Sequence, residues 1–168
     1  MSLRDGTTHG ARSTVRGFTF IELMITLVIL AILASVSIPL AQINAQREKE
    51  RQLRIALIDI REAIDAYKKA SDQGRIARKT GESGYPRSLE ELADGVIDEK
   101  SPNKQVMYFL RRLPRDPFAD KPQQKASATW AKRSHASSDD SPSEGDDIFD
   151  VASHSSRLGL NGIALNKW

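Results

Sequence analysis

The hydrophobic positions of this chain fall into three regimes. Residues 23–40 (LMITLVILAILASVSIPL) are almost continuously apolar, and no charged residue occurs from 23 to 46. Eighteen such residues at 1.5 Å rise span about 27 Å as a helix, close to the thickness of a bilayer's hydrocarbon core. A second regime follows without a break. Leu53, Leu57, Ile60, Ile64 and Tyr67 recur at spacings of four and three, with Ala56, Ala63 and Ala70 beside them. That is the single apolar stripe of an amphipathic helix. The repeat is short for a coiled coil. Arg47, Glu48, Lys49, Glu50, Arg51 and Arg54 form a mixed-sign collar between the two halves, expected to be solvated. One helix from Phe18 to about Ala70 would be roughly 80 Å long, with Gly74 as its stop. Pro39 has no N–H to give the carbonyl of residue 35 and predicts a kink or local opening, with Ser35 and Ser37 available to the freed groups.

The third regime, residues 71–168, mixes short periodicities with turn signals. Residues 71–84 form a polar connection. Ser88 and Glu91 have capping-box spacing and predict a short helix to about Asp94. Residues 107–112 (MYFLRR) suit a short helix or strand. The run 113–118 (LPRDPF) must be extended or turning, because each proline restricts its predecessor. Residues 130–134 and 147–153 read as strands, the second with half-buried alternation. Residues 159–162 read as a turn. The least organised stretch is 121–147, expected to be a flexible loop. Within it, residues 136–145 (ASSDDSPSEG) hold no large apolar side chain.

The apolar run has three readings: a buried core helix, a cleaved secretory signal and a retained membrane helix. It is long for the first two, and no small-x-small cleavage site follows it. Arg4, Arg12 and Arg16 precede it against Asp5 alone. Such a bias keeps an N-terminus cytoplasmic and sends the rest of the chain across. Glu22, a carboxylate at the head of the run, is costly in hydrocarbon and marks a functional position.

These residues, GFTFIELMITLVILAILASVSIP, resemble the type IV pilin and type II secretion pseudopilin family. The resemblance implies an α+β, pilin-like fold, in which a long N-terminal helix packs on a small antiparallel sheet domain. It divides the chain into a leader (1–17), a membrane and filament-core helix (18–41), an amphipathic continuation (42–70) and a periplasmic globular domain (71–168). It implies cleavage by prepilin peptidase between Gly17 and Phe18, N-methylation of Phe18, and an assembly role for Glu22 against the Phe18 amine of a neighbouring copy. The implied partners are further copies in a helical filament, minor pseudopilins, an inner-membrane platform and a cytoplasmic ATPase. The chain would begin as a single-pass inner-membrane protein and move into the filament. The globular part is similar to the major, G-type pseudopilins through Tyr85-Pro86, the 88–92 segment, the 113–118 run, Trp130 and the C-terminal strand and turn. A pseudopilus that drives protein export is therefore the expected role. A type IV pilus subunit for adhesion, motility or DNA uptake is the alternative, and a membrane-anchored module that never polymerises is the other rival.

Composition then adds mainly exclusions. The chain has 168 residues, no cysteine, and 25 Lys+Arg against 22 Asp+Glu, for a net charge of +3. The leader would carry away three arginines and one aspartate, leaving +1. That weak field does not argue for nucleic acid. Without cysteine there is no disulfide scaffold and no thiol or Cys-zinc chemistry. Ser134 beside His135, and His154 between Ser153 and Ser155, do not make a catalytic triad by adjacency. There is no Gly-rich phosphate loop. No enzyme activity and no cofactor are expected. The resemblance also implies a calcium loop near the C-terminus. The matching stretch, 154–162, has no carboxylate and carries Arg157, so calcium is not expected there. Asp139, Asp140, Asp146 and Asp147, with Glu144, are the remaining carboxylates for such an ion, against the reading of a solvated acidic loop.

Overall fold

The computed structural model describes residues 17–138 and 140–168, and within them all side chains except those of 36–40. The leader up to residue 16 and Asp139 lie outside the described residues. The chain forms two compact units, Met1–Gln42 and Ile43–Trp168.

Helix α1 runs over Phe20–Asp72. In the first unit every described side chain from 17 to 35 is exposed. The helix is assigned through Pro39, whose own side chain is not described. The Ser35 hydroxyl donates to the carbonyl of Ala31 at 2.8 Å, so it serves its own preceding turn and not the carbonyl that Pro39 frees. Among the described residues no helix is long and apolar enough to cross a membrane. Residues 36–40, part of the apolar run in the sequence, fall outside that statement.

In the second unit α1 supplies the core. Leu53, Ala56, Leu57, Ile60, Ala63, Ile64, Tyr67 and Ala70 are all buried, and they meet Leu89, Leu92, Phe118, Trp130, Ile148, Val151 and Leu165. Each large aliphatic side chain buried in this way contributes about 1.5–3 kcal/mol. Ile55 and Ile58 lie off the stripe and stay exposed. The helix ends where the sequence predicts. Gly74 adopts φ +69, its N–H reaches the Ser71 carbonyl at 2.9 Å, and the Arg75 N–H reaches Ala70 at 3.0 Å. That bond pair is a Schellman stop, which requires a left-handed residue at the glycine.

The rest of the unit is small pieces laid on that stripe. Helix α2 (Glu90–Asp94) leads into β1 (Val96–Ile97), which pairs antiparallel with β2 (Val106–Met107). A 3-10 turn at Ala126–Thr129 leads into β3 (Trp130–Arg133). It pairs antiparallel with β4 (Asp150–Ser153), Trp130 opposite Ser153 and Arg133 opposite Asp150. A second 3-10 turn, Leu165–Lys167, follows the bridge between Leu158 and Ala164. The arrangement is α+β and pilin-like, as expected.

Three local expectations need correction. Ser88 does not cap α2. The helix starts one residue later, behind Leu89, which has helical φ and ψ and no side-chain cap. Leu89 is fully buried and fixes that turn, while Glu91 accepts the Arg87 N–H at 3.3 Å and the Tyr67 hydroxyl at 3.1 Å. The stretch 121–147 is not one loop. Ser127, Thr129 and Trp130 are buried, and Asp116 donates its N–H to the Thr129 hydroxyl at 3.1 Å. Glu50 does not belong to the solvated collar: it is buried, while Glu48 is held by two bonds from Arg51, at 3.0 and 2.7 Å. Those bonds keep the Glu48 carboxyl at about 2.

Candidate processing and assembly site

The head of α1 sets the geometry of Gly17, Phe18 and Glu22. Residues 17–19 are outside any helix or strand, and the helix starts at Phe20, two residues later than the pattern suggests. The cause is Thr19. Its hydroxyl accepts the Glu22 N–H at 3.3 Å, and its carbonyl accepts the Leu23 N–H at 3.1 Å. Thr19 is therefore the N-cap, and Glu22 stands at the third helical position, in the turn where a negative charge favours the helix dipole. Sequence reasoning overlooked Thr19, although the Thr-x-x-Glu spacing of residues 19–22 carries the signal.

Among the described residues nothing crowds the junction. A Cβ added at Gly17 would meet no atom within 4 Å. Phe18 is 81% exposed, and Phe20, Ile21 and Leu23 are exposed as well. The Gly17–Phe18 peptide bond thus lies in an open, non-helical segment that an endopeptidase can approach. The Glu22 carboxylate is exposed one helical turn from Phe18. Large apolar side chains stay exposed along the following turns to Leu33. A contiguous apolar surface of this kind marks contact with a membrane or with other protein.

The second unit shows what its distinctive residues do. Trp130 donates its indole N–H to the Pro114 carbonyl at 2.9 Å. Asp116, buried, accepts the Phe118 N–H at 2.8 Å and the Ser153 hydroxyl at 2.6 Å. These bonds bring together the 113–118 run, Trp130 and the end of β4. Tyr67, whose hydroxyl faces Glu91, has its ionisation pushed up by burial and then by that carboxylate. His135 stacks with Tyr85 and Phe149 at ring distances of 5.3 and 5.4 Å, and its serine neighbour Ser134 donates to Asp147 at 2.6 Å. Neither His135 nor His154 is placed against a serine in a nucleophile–base arrangement among the described hydrogen bonds.

Of the acidic candidates for a metal, Asp139 lies outside the described residues. Asp140 and Asp146 are exposed, and Asp147 accepts the Ser134 hydroxyl and the His135 N–H at 3.0 Å. Among the described residues no three His, Asp or Glu side chains lie where they could hold a metal ion.

Residues 12–38 match the family model of the prokaryotic N-terminal methylation motif. Relatives extend the likeness into the second unit. The chain is 29% identical over 109 residues to the type II secretion system core protein G of Pectobacterium carotovorum, covering 61% of this chain and 62% of that protein. It is 29% identical over 112 residues to the core protein G of Klebsiella michiganensis, covering 64% and 70%. It is 28% identical over 107 residues to that of Vibrio cholerae, covering 62% and 66%. The chain thus spans less than two thirds of the length of the Pectobacterium relative it matches. No solved structure matches. With its open Gly17–Phe18 junction, capped apolar helix and stapled α+β unit, the chain carries the prokaryotic N-terminal methylation motif and is similar to core protein G of type II secretion systems.

Proposed function

We propose that this chain is a structural subunit of a type II secretion pseudopilus, made as an inner-membrane precursor and polymerised into a helical filament of its own copies. The observation that carries the reading is the Gly17–Phe18 junction: an exposed, non-helical bond directly ahead of a capped helix whose apolar surface is open, inside the matched methylation motif. Prepilin peptidase would cut there on the cytoplasmic side and methylate the new Phe18 amine. The arginines at 4, 12 and 16 would hold that side in the cytoplasm, with residues 23–40 in the membrane and the second unit in the periplasm.

Glu22 would then supply register. In hydrocarbon its carboxylate needs a cation, and the Phe18 amine of a neighbouring copy is one of matching chemistry. A new subunit satisfies that charge only by joining the filament base. Extension would be driven by a cytoplasmic ATPase acting through an inner-membrane platform, with minor pseudopilins as further partners. The pilus alternative is less well supported, because the relatives are named as type II secretion proteins.

Co-expression with a prepilin peptidase followed by intact-mass measurement tests the processing. The expected product starts at Phe18 and carries one added methyl group; an uncut chain overturns the reading. Deletion of the gene should abolish export of a secreted enzyme. Normal export with loss of surface fibres would favour the pilus alternative.

A further inference from the structure

The stretch 154–162, where the family resemblance implies calcium, lacks a donor set for that ion. It has no carboxylate of its own. The carbonyls of Arg157, Gly159 and Ile163 accept the N–H groups of Leu165, Gly162 and Gly159, each at 2.9 Å. Those oxygens are therefore engaged inside the loop. Calcium asks for about six to eight oxygens with anionic groups among them. The residues present do not fit.

The loop does receive a carboxylate, from α1. Glu50 is 8% exposed, and its Oε1 accepts the Leu160 N–H at 2.8 Å and the Gln46 Nε2 at 2.9 Å. A buried carboxylate is costly without donors, and the N–H of Leu160, whose side chain is exposed, supplies one from the loop. An N–H aimed at the oxygen also directs its positive end to the place a cation would occupy. Packing completes the attachment. A Cβ at Gly159 would lie 2.7 Å from the Trp168 ring, so the glycine permits the close approach. The Arg54 guanidinium lies 4.5 Å over that ring, and Arg61 donates to the Trp168 carbonyl at 2.9 Å and to Asp150 at 2.8 Å.

We propose that Glu50 pins the C-terminal loop of this chain to α1 in place of a metal, so that the order of the loop is independent of calcium. The staple joins residues far apart in sequence through a charge-assisted bond, the task a divalent cation performs elsewhere. It stands apart from the secretion reading, since it concerns one loop of the isolated chain.

The test is hydrogen–deuterium exchange of peptides covering residues 157–165, with thermal unfolding, on the full chain in detergent micelles. Wild type should show the same exchange and the same Tm in millimolar calcium and in EGTA. Glu50→Ala should speed exchange at Leu160 by about tenfold or more, as expected for loss of a hydrogen bond to a charged acceptor. Glu50→Gln, which keeps an acceptor oxygen, should speed it less. Slower loop exchange or a Tm higher by several degrees in calcium overturns the proposal on wild type alone, whether or not the variants fold. So does rescue of Glu50→Ala by calcium, or a Leu160 amide equally protected without Glu50.

Discussion

The indole N–H of Trp130 reaches across to the carbonyl of Pro114 at 2.9 Å, tying the first residue of β3 to the proline-restricted run 113–118. Both groups belong to the second unit, where Trp130 is buried and Pro114 half-buried. Trp130→Phe keeps most of the apolar contact and removes the donor. It should cost about 0.5–1.5 kcal/mol, the net worth of a hydrogen bond whose acceptor is half-buried. Thermal unfolding of the variant checks this; an unchanged Tm would mean that the bond contributes nothing net.

What the sequence made legible was what repeats locally. The stripe from Leu53 to Ala70 announces itself at spacings of three and four, and every member of it is buried. Trp130, the strands and the Gly74 stop are also local signals. Contacts between distant residues were not legible. Asp116 meets the Ser153 hydroxyl, 37 residues away, and Glu50 meets the Leu160 amide, 110 residues away. Nothing in a charged collar distinguishes the one carboxylate that a folded loop will cover. The Ser88–Glu91 spacing misled for a related reason: tertiary burial of Leu89 fixed the turn, and Tyr67 claimed the glutamate. At the candidate processing site Gly17, Phe18 and Glu22 were legible, whereas the capping hydroxyl of Thr19 is hidden in a pattern dominated by Phe18 and Phe20 on either side of it.

Thr19 therefore makes a prediction of its own. Thr19→Ala removes the acceptor for the Glu22 N–H and should cost about 1 kcal/mol of helix stability at that end, while Thr19→Ser should cost little. Amide exchange at residues 22 and 23 in micelles reads the difference. Equal exchange in the two variants would show that the hydroxyl does not cap the helix.

Acid sensitivity should track Asp98. Arg75 donates to its Oδ2 from Nε at 3.0 Å and from Nη2 at 2.6 Å, and the Lys100 N–H reaches Oδ1 at 3.0 Å. The Arg75 bonds first, and the Lys100 N–H after them, hold the Asp98 carboxyl below its usual range. A carboxyl with a depressed folded value binds fewer protons in the native state than unfolded. Its stabilisation is present above about pH 4 and is lost as the pH falls through the folded value. Asp98→Asn cannot ionise, so it should be less stable than wild type at pH 7, and the gap should close below about pH 4. Urea unfolding across that range decides; a gap that stays constant with pH would assign the loss to shape, not charge.

The assembly role proposed for Glu22 separates insertion from polymerisation. Its carboxylate is exposed at the third helical position, next to the open Phe18 segment and outside any contact within the chain that would consume it as a structural acceptor among the described hydrogen bonds. Removing the charge makes the apolar run easier to insert, so Glu22→Ala and Glu22→Gln should both reach the membrane at wild-type levels. If the carboxylate sets register against a neighbour's amine, neither variant should polymerise efficiently, and Gln should fail nearly as badly as Ala because it keeps the shape and loses the charge. Cleavage at Gly17 should continue in both, which separates an assembly defect from a processing defect. Membrane-fraction abundance measured beside filament yield makes the comparison, and normal filament yield from Glu22→Gln would remove charge pairing as the source of register.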